Sequence, residues 1–206
     1  SAGLNITIDT TAPAAPVIST TTSLTNINTP TIEGTAEAGS TVELFNGSDS
    51  LGTVVATDDG QFLFNSYGQL IDGSYHITAK STDTAGNISV SSHGLSIIVD
   101  TTEPEKPIIA TTIATTNTDT PTITGTTAPG TTVELLNGNN VLGTVIAAND
   151  GSFSITSSVL SDDIYTLTVR ATDLAGNVSA ESVGLPIEID TTAPAAPLIT
   201  TDIALT

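Results

Sequence analysis

Apolar and polar residues alternate along most of this chain with a period of two. In one stretch Tyr75, Ile77 and Ala79 share a face while His76, Thr78 and Lys80 share the other. Some ninety residues on, Tyr165, Leu167 and Val169 stand against Thr166, Thr168 and Arg170 in the same way. A half-buried strand has this pattern, and a slip of one residue would turn the whole apolar set into water, so the register is firm. Gly, Asn, Asp and Pro interrupt the alternation roughly every eight to twelve residues, which is the spacing of a β-sandwich. The first repeat is predicted to have strands at residues 15–20, 30–35, 41–46, 51–57, 61–65, 74–82 and 87–99, the last broken around Gly94. No helical period is present. The expectation is all-β: seven-stranded immunoglobulin-like sandwiches in tandem, arranged end to end as a rod.

One phrase recurs three times: Ile8-Asp9-Thr10-Thr11-Ala12-Pro13, Val99-Asp100-Thr101-Thr102-Glu103-Pro104 and Ile189-Asp190-Thr191-Thr192-Ala193-Pro194. In each, a β-branched run meets one aspartate and then a Thr/Pro segment that can be neither helix nor central strand. The aspartates lie 91 and 90 residues apart, so the chain is a tandem array and the joint is its repeating mark. The domains expected are 1–9, the last strand of a preceding repeat; 10–100 and 101–190, two complete repeats; and 191–206, the first strand of a following one. On this reading the chain is cut from a longer array.

Composition narrows the partners. Against 22 acidic residues stand three Lys and Arg, for a net charge of −19. That surplus repels nucleic acid and anionic membranes, and it destabilises the compact state unless cations sit among the carboxylates. Without cysteine there is no disulfide framework, thiolate catalyst or Cys-type zinc site. No apolar run is long enough for a membrane-spanning helix, so direct membrane insertion is not expected.

Because the chain holds two copies, it supplies its own control on chemistry. His76 becomes Thr166 and His93 becomes Val183, so no histidine recurs to activate the many hydroxyls, and no enzyme is expected. Carboxylates do recur. Asp83-Thr84-Ala85-Gly86-Asn87 returns as Asp173-Leu174-Ala175-Gly176-Asn177, Asp59 as Asp150, Asp72 as Asp162, Glu43 as Glu134, and the joint aspartate as Asp9, Asp100 and Asp190. An up-and-down chain path brings the loops after the second, fourth and sixth strands to the end where the chain comes in. Asp9, Asp59 and Asp83 are therefore expected at one joint, and Asp100, Asp150 and Asp173 at the next. Three clustered carboxylates call for a hard cation with oxygen ligands. Ca²⁺ fits best, with carbonyls of the Ala-Gly-Asn turn and the segment starting at Thr101 completing the shell. The competing reading makes these aspartates turn formers that bond the backbone two residues on. Glu43 and Glu134 are expected to be solvated, and a second ion site near Asp72 or Asp162 is a further possibility. Tyr75 and Tyr165, each five residues after a leucine, suit a tyrosine corner, in which the hydroxyl bonds back to the preceding loop. Tyr67 has no counterpart and is the one aromatic that could be set apart for special work; the simpler reading is a loop aromatic covering the core.

The strings Asp-Thr-Thr-Ala-Pro, Pro-Thr-Ile-x-Gly-Thr, Thr-Val-Glu-Leu, Asp-Gly-x-Phe and Thr-Asp-x-Ala-Gly-Asn together resemble the bacterial immunoglobulin-like repeats of giant non-fimbrial surface adhesins. These are exported by type I secretion from Gram-negative bacteria. The match covers essentially the whole chain; Glu103-Pro104-Glu105-Lys106 at the middle joint departs from the Ala-Pro-Ala-Ala of the others. The resemblance implies an extracellular, calcium-decorated stalk whose partners are adjacent repeats, and which carries a host-binding tip for cell adhesion and virulence. The alternative it leaves open is that the repeats themselves contact host-cell glycans or proteins.

Overall fold

The computed structural model describes residues 3–65 and 68–199, so Tyr67 lies outside the described residues. The chain divides into two compact units, Ser1–Thr102 with Leu174–Asn177, and Glu103–Asp173 with Val178–Thr206.

Among the described residues the first unit holds eight strands: β1 (Val17–Ile18), β2 (Leu24–Thr25), β3 (Thr31–Thr35), β4 (Thr41–Asn46), β5 (Asp49–Val55), β6 (Gln61–Asn65), β7 (Gly73–Thr82) and β8 (Leu95–Val99). They form one sheet in the order β1-β3-β6 and another in the order β2-β8-β7-β4-β5. Seven strands were expected. The eighth arises because the opening strand splits: β1 pairs antiparallel with β3, and β2 then pairs parallel with β8 in the other sheet. The inward faces supply the core, with Ile32, Val42, Leu44, Phe62, Phe64, Ile77, Ala79 and Ile97 among its members. Their one-in-two spacing is the period-two pattern of the sequence made physical.

The last strand is shorter than the predicted 87–99, and two serines explain it. Ser89 Oγ accepts from Ser81 N at 2.9 Å and Ser92 Oγ from Ala79 N at 2.9 Å. These hydroxyls take ladder donors that a continuous strand would have used, so after an isolated Thr82–Ile88 bridge regular pairing with β7 resumes only at Leu95.

The second unit repeats the plan with β9 (Ile108–Ile109), β10 (Thr115–Thr116), β11 (Thr122–Thr126), β12 (Thr132–Asn137), β13 (Asn140–Ile146), β14 (Ser152–Thr156), β15 (Asp163–Thr172) and β16 (Leu185–Ile189). Its sheets run β14-β11-β9 and β10-β16-β15-β12-β13. Ser179 and Ser182 take the roles of Ser89 and Ser92. Residues 3–9, expected as a strand, form none and leave Leu4, Ile6 and Ile8 exposed. Residues 191–199 likewise carry no strand.

Candidate functional site

The recurring polar residues gather at the two ends of each sandwich. At the end where the chain comes in, Ala36 N donates to Gly60 O at 2.9 Å, Gly39 N to Ala56 O at 3.0 Å, and Ser81 Oγ to Ala14 O at 3.2 Å. The loops after β3, β5 and β7 therefore share this end, as the chain path predicts.

The turn after β7 is built on Asp83. Its Oδ1 accepts from Ala85 N at 2.9 Å and Asn87 N at 2.8 Å, while Oδ2 accepts from Asn87 Nδ2 at 2.8 Å. Gly86 closes the turn at a φ of +93°, a conformation costly for any residue with a Cβ. The Asn87 amide side chain, followed by the backbone donors, holds the Asp83 carboxyl below its ordinary value. The same Asn87 Nδ2 reaches the Asp9 carbonyl at 3.1 Å, so an amide joins this turn to the incoming chain. Asn177, buried, donates likewise to the Asp100 carbonyl at 2.8 Å. Asp173 stands half-buried at the end of β15 and is engaged in bonding.

The other expected cation ligands are committed to their own turns. Asp9, Asp100 and Asp190 each accept from the backbone N–H two residues on, at Thr11, Thr102 and Thr192, over 3.0, 3.1 and 3.0 Å. Asp59 accepts from the Thr57 hydroxyl and Asp150 from Ser152 Oγ at 2.7 Å; these hydroxyls are the leading cause of the lowered pKa of each. Among the described residues no three His, Asp or Glu side chains gather so as to hold a metal ion. The expected convergence of Asp9, Asp59 and Asp83 is therefore not formed. The physical reason is local: a carboxylate that closes its own turn points at its own backbone rather than across the joint.

At the opposite end, Asp72 does what the sequence reading did not foresee. Its Oδ1 accepts from Thr101 N at 2.9 Å and Thr101 Oγ1 at 2.8 Å, and its Oδ2 from Thr102 Oγ1 at 2.7 Å. Asp162 repeats the clamp on Thr191 N (3.0 Å), Thr191 Oγ1 (2.7 Å) and Thr192 Oγ1 (2.8 Å). Donation from Thr102 and then Thr101 lowers the pKa of Asp72; Thr191 leads for Asp162. Thr101, whose segment was expected to offer carbonyls to an ion, donates its N–H and hydroxyl to this carboxylate. The recurrence of Asp72 as Asp162 was the available signal. Tyr75 Oη donates to Ile71 O at 2.8 Å and Tyr165 Oη to Ser161 O at 3.1 Å, each one residue before the clamp.

On the sheet surface Glu43 accepts from Ser50 Oγ at 2.6 Å. Glu134, expected to be solvated, instead pairs with Arg170 Nε at 2.7 Å across β12 and β15. In the first unit the corresponding cation, Lys80, lies 5.8 Å from the centre of the Phe45 ring.

Residues 4–101 and 110–191 match the family described as the bacterial Ig-like domain. Chitinase A1 of Niallia circulans is 31% identical over 199 residues, covering 91% of this chain and 28% of that protein, so the chain spans little more than a quarter of that relative. The fibronectin(III)-like modules of Clostridium thermocellum CbhA superpose with a TM-score of 0.57 at 16% identity, over 90% of this chain and 100% of theirs, a likeness of fold. A tetra-tandem repeat from the extending region of a large adhesion protein aligns with 92% of this chain and 52% of its own at 24% identity; its TM-score is 0.36.

Proposed function

The chain belongs to the bacterial Ig-like domain family, and from that premise we propose that it is a non-catalytic spacer, a stalk segment of an exported bacterial surface adhesin. One observation carries this reading. The polar residues shared by the two repeats are spent on turns and joints: the Asp72 and Asp162 clamps, the Tyr75 and Tyr165 hydroxyls, and the Asn87 and Asn177 amides. Residues suited to acid–base chemistry, His76 and His93, have no counterpart in the second repeat. A unit copied for reach must keep its joints and is free to vary elsewhere. Carriage of a host-binding tip and export by type I secretion belong to this proposal through the motif resemblance. Small-angle scattering tests the spacer role: an elongated profile in solution supports it, and a collapsed one overturns it.

Calcium at the joints belongs to the same proposal, on the recurring Asp83 and Asp9. An ion there would compete with the Asn87 amide, which donates to the Asp83 carboxylate and the Asp9 carbonyl. Titration with calcium chloride, followed at the Asn87 side-chain resonance, decides the matter. A saturable shift supports binding there, and an unmoved signal removes it.

A second reading, direct recognition of glycans, is disfavoured by the described aromatics. Phe62, Phe64 and Phe153 are buried, and Tyr75 and Tyr165 pack partly buried against the cores, leaving them poor stacking platforms; Phe45, half-buried on the sheet surface, has Lys80 over its ring. Binding of this fragment to a glycan array would revive it. A third, an accessory module beside a catalytic domain, is favoured by the similarity to part of a chitinase. The gene context of the full-length protein separates it from the adhesin reading.

A further inference from the structure

We propose that Tyr75, Asp72 and the pair Thr101–Thr102 form one strap from the core of the first unit to its outgoing linker, and that Tyr165, Asp162 and Thr191–Thr192 form the same strap in the second. The inference deepens the spacer reading and rests on it, since only a spacer needs its linker aimed.

Each strap starts at a ring anchored against the core. Tyr75 packs on the first cluster and Tyr165 on the second. The hydroxyl of each fixes the carbonyl of the residue just before the clamp, Ile71 at 2.8 Å or Ser161 at 3.1 Å. A second bond steadies the same loop, from Leu70 N to Asn28 O and from Leu160 N to Asp119 O, both 2.8 Å. A carboxylate so placed has little freedom left, and both of its oxygens are used. Oδ1 takes the backbone and hydroxyl of the first threonine, and Oδ2 the hydroxyl of the second. The last strand ends at Val99 or Ile189, so the clamp extends fixed backbone past the sheet into residues that have no strand partner. Charge-assisted bonds of this kind are about twice as strong as neutral ones. Threonine is needed at both positions because it offers a hydroxyl beside a stiff χ1.

The chain contains its own control. Thr10 and Thr11 repeat the sequence of the joint, yet among the described residues this pair makes the turn from Thr11 N to Asp9 Oδ1 and no carboxylate clamp of the Asp72 kind. Amide hydrogen exchange by NMR on the intact chain is the test. In the native protein Thr101 and Thr191 should exchange about tenfold or more slowly than Thr10, as expected for a charge-assisted bond that must break before exchange. Asp72→Ala should bring Thr101 to the rate of Thr10 while Ile97 and Val99 stay protected and Thr191 is unmoved. Asp72→Asn, which keeps one acceptor oxygen, should recover part of the protection. Tyr75→Phe keeps the ring and deletes its hydroxyl, and should speed Thr101 several-fold without exposing β8.

An unchanged Thr101 in Asp72→Ala overturns the strap. An unchanged Thr101 in Tyr75→Phe overturns the role of the tyrosine. Either result leaves the spacer reading standing, because that reading fails on scattering instead.

Discussion

A single carboxylate in this protein is worth what its donors make it. Asp72, Asp83 and Asp162 titrate below the ordinary value of 3.8, each because hydroxyl or amide groups donate to the ionised form. A group whose folded pKa is depressed contributes stability that is present above its unfolded pKa and lost as pH falls through the folded one. Acidification also neutralises the other acids of a chain at −19, which relieves self-repulsion and pushes the other way. The second effect is common to native and variant proteins, so their difference isolates the first. Asp72→Ala is expected to melt below the native protein near neutral pH, with the gap closing as pH falls below 3.8 and through the lowered pKa of Asp72. Calorimetry across that range checks it, and a gap independent of pH would mean that the bonds at Asp72 do not depend on its charge. The Arg170–Glu134 pair is a smaller matter. Its side chains are 39% and 25% exposed, so Arg170→Ala should cost only about 0.2–1 kcal/mol in denaturant melts.

Strands are where the sequence was most legible, because alternation needs only neighbouring residues to be read. β3, β4, β6 and β7 fall within a residue of the expected spans, since each has an unbroken period of two. The ends of the sandwich were harder. The split of the opening strand into β1 and β2 depends on which sheet edge is free, and the shortening of β8 depends on where Ser89 and Ser92 aim their hydroxyls; neither is a local property. The same divide explains the joints. The recurrence of the aspartates could be read, but whether a carboxylate faces its own turn or a neighbour is decided by loop conformation. Gly34 and Gly125, the glycines of the Pro-Thr-Ile-x-Gly-Thr string, show both sides at once. Their repetition was visible, while the reason is packing: a Cβ there would overlap the Val17 or Ile108 carbonyl oxygen and the Phe62 or Phe153 ring. Backbone on one side and a core ring on the other leave no room to yield. Gly34→Ala and Gly125→Ala should each destabilise their own unit by about 1–3 kcal/mol, lowering its melting temperature by several degrees.

For the molecule as a whole, charge is the dominant tension. Strand pairing and two cores must hold together a chain in which 22 acids face three bases, and like charges gain free energy by moving apart when the fold opens. Screening should therefore stabilise it. The Debye length falls from about 30 Å at 0.01 M to about 8 Å at 0.15 M salt, so repulsion between distant carboxylates fades while the short bonds at Asp72 and Asp83 persist. Melting temperature is expected to rise over that range of sodium chloride. Divalent ions then separate general screening from a specific seat. Magnesium and calcium chloride at one ionic strength screen alike, but calcium accepts the irregular oxygen shells that magnesium refuses. If both raise the melting point equally, the joints are fastened by protein groups alone, with Asn87 and Asn177 in place. If calcium exceeds magnesium, an ion has taken Asp83 from Asn87. At about 100 times its dissociation constant that ion would add roughly 2.7 kcal/mol, and the excess should vanish in Asp83→Asn while the sodium response remains.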